Sequence, residues 1–372
     1  MTNEIQENHT ISPFFIMFPL YVGTVGVGIL TYQSKVIEHA GYNAWISVLV
    51  AGLGMQIVLG LIYYILSAHR DSPEIITINR TLFRTILGGL FNAGIVSYFF
   101  FGAFLKLKVF IEMIQIWLFP TMNILPLSMG MALLIYYAVS GGFRAVIGIC
   151  VWGAILSLAS EIPEVLLAVP FLHPQNIFPL LNHSGGELLL SSKSMALEFL
   201  GFETLLLFYP FIRTPEKSRK WAHLTLGFIT CLYLMILVLT FMFFSEGQLR
   251  HSIWPTIDVV SIFEVPLLQR LEYFFISLWL IKIVAGVSLY VWAACRGMKT
   301  AFHFGATYCL IGFLIVMVVL NYFIADHRTI HHISDLYGTI GFYFICAYIP
   351  FIAVCVWIRK GLMRRFPGRR QV

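Results

Sequence analysis

The chain has 372 residues, of which 59% are hydrophobic and only 11% charged, and its mean hydropathy is +0.84. That is too little polar surface to clothe a water-soluble globule. The formal charge of +6 would suit a nucleic acid only if the basic residues formed a stripe; instead they gather in short loops between long apolar runs, so no nucleic-acid partner is expected.

The apolar runs are nearly free of charge, long enough to cross a hydrocarbon core roughly 30 Å thick, and lack the alternation of barrel strands, so they are predicted to be helices. In chain order they fall at about 12–34, 44–67, 84–118, 125–140, 145–171, 191–212, 221–245, 270–295, 306–325 and 335–358. The fold class predicted is an all-α membrane protein of about ten spans in one permease-like domain, residues 1–372. The first run is read as a span, not a cleaved signal: no Lys or Arg precedes it and no small-residue cleavage motif follows.

Loops after the even-numbered spans carry Arg70, Arg80, Arg84, Arg213, Lys217, Arg219 and Lys220, and the tail carries Arg359, Lys360, Arg364, Arg365, Arg369 and Arg370. Loops after the odd-numbered spans hold mainly Lys35, Arg250 and Arg328. The positive-inside rule makes the basic side cytoplasmic, with both termini there and the tail facing membrane lipid. Two long stretches on the other side, 172–190 and 246–269, read as non-helical. Cys150, Cys231, Cys295, Cys309, Cys346 and Cys355 lie in or beside apolar spans without CxxC spacing, which predicts packing residues or buried thiols and neither a disulfide framework nor a metal site.

Ten spans divide into five plus five, with halves at about 12–171 and 191–358. The first span of each half carries a glycine interruption: Thr24-Val25-Gly26-Val27-Gly28-Ile29-Leu30 and Phe199-Leu200-Gly201-Phe202-Glu203-Thr204-Leu205. A weak internal match sets Gly26 opposite Gly201 and Leu30 opposite Leu205. Glycine-interrupted segments at corresponding places point to a transporter-type binding site, because a broken helix leaves amides and carbonyls free at mid-membrane. Glycine also serves close helix packing, and either use is compatible with the strings alone.

Ionisable groups within spans are costly and therefore candidates for function. Lys282 lies near the middle of its span, and Gly286 and Tyr290 follow on the same face. Tyr98 and Gly102 repeat the tyrosine–glycine spacing on the third span. Such pairs would leave a small pocket capped by phenols, or pack as ordinary helix faces. Lys282 could pair with Glu203 or stand in for a bound cation, which makes both residues charge or coupling candidates. Lys106 and Lys108 precede Glu112, and an i, i+4 pair accounts for two of the three. Glu161 and Glu164 flank Pro163 and could form an outer-vestibule site; Arg270 and Glu272 read as interfacial anchors or a structural pair; His327, His331 and His332 read as solvated loop residues. There is no GxSxG, HExxH or P-loop, and no catalytic, metal or cofactor site is expected.

Three groups of strings resemble one family. They are Gly26-Val27-Gly28-Ile29-Leu30-Thr31 with Gly41-Tyr42-Asn43-Ala44-Trp45-Ile46; Phe199-Leu200-Gly201-Phe202-Glu203 with Pro210; and Ile253-Trp254-Pro255-Thr256, then Gln269-Arg270-Leu271-Glu272, then Trp279. In order and spacing they look like the B subunit of the spore germinant receptors, a branch of the amino acid–polyamine–organocation permeases. The resemblance implies a 5+5 inverted repeat with broken first and sixth helices, and a nutrient pocket between spans one, three, six and eight. Carried onto this chain, that pocket involves Gly26, Tyr98 and Gly102, Leu200 and Gly201, and Gly286 and Tyr290; Thr24, Val25, Gly28 and Phe199 of the two glycine strings complete the candidate ligand-binding residues. It further implies residence in the spore inner membrane, assembly with an A subunit and a lipid-anchored C subunit, and ion release when nutrient binds. The permease-like proline after the first break is absent; Tyr32-Gln33 stands there. The expected function is a germinant receptor subunit that senses a small nutrient, an amino acid by preference. The alternatives are a proton- or cation-coupled secondary amino-acid transporter and a scaffold or channel without a ligand of its own.

Overall fold

The computed structural model describes residues 10–69, 72–178, 181–262, 271–324 and 326–365. Arg70, Gln269, Arg270 and the tail beyond Arg365, including Arg369 and Arg370, lie outside the described residues, as do the side chains of Glu164, His327, Arg364 and Arg365. Among the described residues no strand is found, only an isolated bridge between Ile11 and Ile212.

After a tight 3-10 turn at Pro13–Ile16 come α1 (Met17–Thr24), a second such turn at Val27–Leu30, and α2 (Tyr32–Ala40). The chain then reverses at Gly41, whose φ of +48° favours glycine, and α3 (Ala44–Ser67) returns. The reversal is fixed by cross-contacts. The Ser191 hydroxyl donates to Val36 O (2.8 Å) and the Ser47 hydroxyl to Leu188 O (3.0 Å), so α2 and α3 both lie along α7 (Gly185–Glu198). Farther along, the Tyr63 hydroxyl lies 2.7 Å from that of Ser218 in α9 (Pro215–Phe243). Between them run α4 (Ile75–Trp117), α5 (Ile124–Ser140), α6 (Phe143–Ala168) and the four-residue α8 (Leu205–Phe208). The chain closes with α10 (Glu246–His251), α11 (Pro255–Ser261), α12 (Leu271–Phe302), α13 (Ala306–Phe323), α14 (His327–Tyr343) and α15 (Ile349–Arg365).

Among the described residues seven helical runs are long and apolar enough to cross a membrane, and an eighth is the bent pair Gly185–Glu198 plus Phe202–Phe211, which turns by 52°. One of the seven, Tyr32–Ser67, doubles back at Gly41, and the shorter Ile124–Ser140 adds another traverse, so the path accords with about ten spans. α12 sits at the centre, packed against α1, α4, α5 and α6. Leucine, isoleucine and tyrosine on the outer faces, such as Leu53, Leu90 and Leu133, are left exposed because their solvent is lipid.

Several boundaries differ from expectation. The stretch before residue 84 is not a loop. α4 starts at Ile75, and Arg84, with φ 62° and ψ −168°, separates its first turns from the span. Those first turns fold back: the Asn79 amide donates to Asn92 Oδ1 (2.9 Å), the Asn92 amide donates to Ile76 O (3.0 Å), and Ile75, Ile76 and Ile78 are buried. The stretches 172–190 and 246–269 also contain helix, and their starts are capping boxes at Ser184/Glu187 and Ser245/Gln248. His331 lies in α14, not in a loop, 3.0 Å from Asp335 one turn on.

Candidate functional site

Both glycine strings are breaks. α1 stops at Thr24, Val25 (φ −80°, ψ 86°) makes a tight turn closed by the Gly26 amide on Thr24 O (3.0 Å), Gly26 (φ −100°, ψ −155°) is extended, and winding resumes at Val27. α7 stops at Glu198, and Gly201 takes φ 141°, ψ −34° before winding resumes at Phe202. The two breaks touch. A Cβ on Gly201 would stand 2.1 Å from Gly23 O, so glycine is required there both by conformation and by space. Gly28 serves a different purpose: its missing Cβ leaves room for the end of the Glu198 side chain, whose carboxylate would stand 1.8 Å from it.

Against the first break opens a cavity of about 190 Å³. Thr24, Gly26 and Gly28 line it from α1 and the turn after it, Gly102 and Lys106 from α4, Glu198 and Leu200 from the second break, Tyr290 from α12, and Tyr337 from α14. Larger grooves, of about 690 and 570 Å³, lie on the basic side beside Lys217 and Arg213, away from both breaks. The cavity is therefore singled out by its chemistry and not by its size. The Thr24 hydroxyl is buried and has no protein partner, a feature that native interiors rarely leave unexplained.

Of the residues expected to bind ligand, Thr24, Gly26, Gly28, Gly102, Leu200 and Tyr290 line this cavity. Val25, Tyr98, Phe199, Gly201 and Gly286 stand behind it. Val25 and Phe199 are fully buried, Phe199 against Tyr233, and a Cβ on Gly286 would meet Val22 O at 3.1 Å, so that glycine lets α12 approach α1. Tyr98 donates its hydroxyl to Glu203 Oε1 (2.8 Å), Tyr290 donates to the same oxygen (3.3 Å), and the Gly201 amide donates to Glu203 Oε2 (2.6 Å). Glu203, wholly buried, thus ties the second break to α4 and α12.

Sequence reasoning passed over Lys106. It does not pair along its own helix; its ammonium donates to Gly23 O (2.7 Å), the exposed carbonyl end of α1, and lies 4.9 Å from the centre of the Tyr290 ring. The negative end of a helix attracts a cation. The only signal available beforehand was the cost of a lysine within a span. Lys108 reaches α13, donating to Asn321 O (3.1 Å).

Lys282 pairs with Glu161 (2.9 Å), not with Glu203 as the sequence suggested. Their side chains are 0% and 4% exposed, so the pair is shut off from solvent and Glu161 is no open vestibule group. Tyr21 donates to Glu161 Oε2 (3.0 Å), and the Lys282 ammonium lies 4.1 Å from the Trp279 ring centre and 5.0 Å from that of Tyr21. Spans one, five and eight meet here, because Gly153 lets α6 close on the Lys282 backbone. Among the described residues no cluster of metal-ligating side chains occurs.

The Trp254-Pro255-Thr256 string closes on the first break from the side opposite the basic loops. Gln33, which stands near the expected proline, donates to Thr256 Oγ1 (2.7 Å), and Thr256 donates to Ile29 O (3.2 Å). Two residues along, burial raises the Asp258 carboxyl above its usual range, an effect partly offset by a short hydrogen bond from the Ser252 hydroxyl.

Residues 10–330 match the profile of a family described as spore germination protein, the spore permeases. The chain is 32% identical over 353 residues to spore germination protein GerQB of Bacillus cereus, covering 93% of this chain and 96% of that protein. It is 21% identical to spore germination protein YndE of Bacillus subtilis, covering 91% and 94% of the two chains. In structure it is similar to a Na+-coupled sialic acid symporter captured outward-open, with TM-score 0.69 at 10% identity, over 91% of this chain and 79% of that one.

Proposed function

The chain belongs to the spore germination protein family, and from that premise we propose that it is the membrane subunit of a germinant receptor, which binds a small nutrient in the cavity at the first break. It sits in the spore inner membrane with both termini cytoplasmic, and works with an A subunit and a lipid-anchored C subunit. The ligand is an amino acid. The reading rests on one observation above the others: a cavity of about 190 Å³ whose wall is built by both helix breaks together with α4, α12 and α14. That volume is well under the about 300 Å³ at which drug-sized sites begin, and suits a molecule of a few heavy atoms. No chemical step is involved. A ligand that prefers one arrangement of the breaks shifts the population toward it, and the partners read that shift.

Filling the cavity tests this. Gly102→Leu should raise the nutrient concentration for half-maximal germination at least tenfold in spores that still assemble the receptor. An unchanged dose response with intact assembly would refute the pocket. Concentrative uptake of a radiolabelled amino acid by the purified chain in proteoliposomes would instead establish a transporter.

A further inference from the structure

Lys106 and Glu198 face the same cavity, and neither is neutralised by the other. Among the described residues Lys106 has no carboxylate within 4 Å. Of the three N–H donors on its ammonium, one is used, on Gly23 O (2.7 Å). A Cβ on Gly26 would stand 3.1 Å from that nitrogen, so the ammonium lies directly over the break. The Glu198 carboxylate occupies the same break two residues on, over Gly28. Its nearest cation is Lys35 at 4.0 Å, beyond hydrogen-bond length, and its side chain is 11% exposed. Lys106 and Glu198 are each partly exposed, and Lys35 lines the cavity beside them, so a ligand entering it meets an ammonium with two free donors and a carboxylate held only by a long ion pair. The unpartnered Thr24 hydroxyl lines the cavity between these elements.

We infer that Lys106 is the receptor for the ligand's negative end and Glu198 for its positive end, so that the site selects a small zwitterion carrying a carboxylate and an ammonium. This rests on the reading of the cavity as the nutrient site and adds the residues that set its specificity. Lys106 already fills the carbonyl end of α1, so the ligand's ammonium is excluded from that point and directed toward Glu198, while its carboxylate takes the two remaining Lys106 donors. A neutral ligand satisfies neither group. The opposite polarity would set like charges together.

The test uses the purified full-length chain in detergent with three probes of nearly equal size: alanine, alaninamide and propionate, with adenosine as a fourth. Ligand-induced shifts in the thermal midpoint give apparent affinities. Alanine is expected to bind at least tenfold more tightly than alaninamide or propionate. Lys106→Met should bring alanine down to the level of alaninamide and leave alaninamide unchanged, whereas Lys106→Arg should keep the preference. Glu198→Gln should do the same to the preference for alanine over propionate. A Lys106→Met chain that still prefers alanine to alaninamide overturns the assignment, as does a wild-type chain that binds adenosine and none of the other three. The cavity itself is tested separately by Val109→Trp, which fills it from α4. If that variant binds alanine normally, the site lies elsewhere and the underlying reading fails with it. If Val109→Trp abolishes binding but Lys106→Met does not alter the ratio, only the charge assignment falls.

Discussion

Replacing Lys282 with methionine is the most informative perturbation of the fold. The ammonium is wholly enclosed, 2.9 Å from Glu161, whose side chain is 4% exposed. Removing one partner of such a pair strands the other and costs about 3–5 kcal/mol. Loss of the contacts with the Trp279 and Tyr21 rings adds about 0.5–2 kcal/mol. Removing both charges is different in kind, since an apolar pair of similar volume in place of a buried ion pair is often neutral or stabilising. Lys282→Met should therefore lower the thermal midpoint in detergent and the amount of chain accumulated in membranes, and Lys282→Met with Glu161→Leu should recover most of the loss. Arg250→Met provides the scale, because the Arg250–Glu246 pair (2.8 Å) is about two-fifths exposed on both sides and such pairs contribute about 0–1 kcal/mol. A Lys282→Met chain no less stable than Arg250→Met, or a double variant as unstable as the single, would refute the reasoning.

Glycines in spans should separate into those the breaks require and those they do not. Gly201→Ala should cost about 1–3 kcal/mol in backbone strain and a similar amount in overpacking against Gly23 O, so little chain should accumulate in membranes. Gly28→Ala displaces only the mobile end of Glu198; the chain should fold, with weakened response to nutrient in a germination assay. Gly54→Ala, which meets no heavy atom within 4 Å, should stabilise by about 0.5–1 kcal/mol, read as a raised thermal midpoint. Asp258 has a folded pKa above its unfolded value, so its contribution is fully present below the unfolded pKa and is lost as pH rises through the folded one. Asp258→Asn should flatten the fall in thermal midpoint across the carboxylate range; an unchanged slope would show that another group is responsible.

Residue order along the chain determined a good deal here. Apolar runs free of charge specified helices, because a bilayer leaves the backbone no other partner, and Gly26, Gly28 and Gly201 marked the breaks, of which Gly201 is the most demanding because a Cβ there would stand 2.1 Å from the Gly23 carbonyl oxygen. Helix starts at Ile75 and Gly185 were hidden among polar residues: the turns after Ile75 fold back through Asn79 and Asn92, and those after Gly185 open with a capping box ahead of the apolar run. Charge pairing was decided by the tertiary structure alone. Spacing along one helix offered Lys108 a partner at Glu112 and no reason to look further, yet the neighbouring Lys106 bonds to a carbonyl 83 residues away, and Lys282 to a carboxylate 121 residues away. A side chain's neighbours along its own helix follow from a fixed period, while its neighbours across a helix interface follow from which helices pack and at what depth, and that is a property of the assembled bundle.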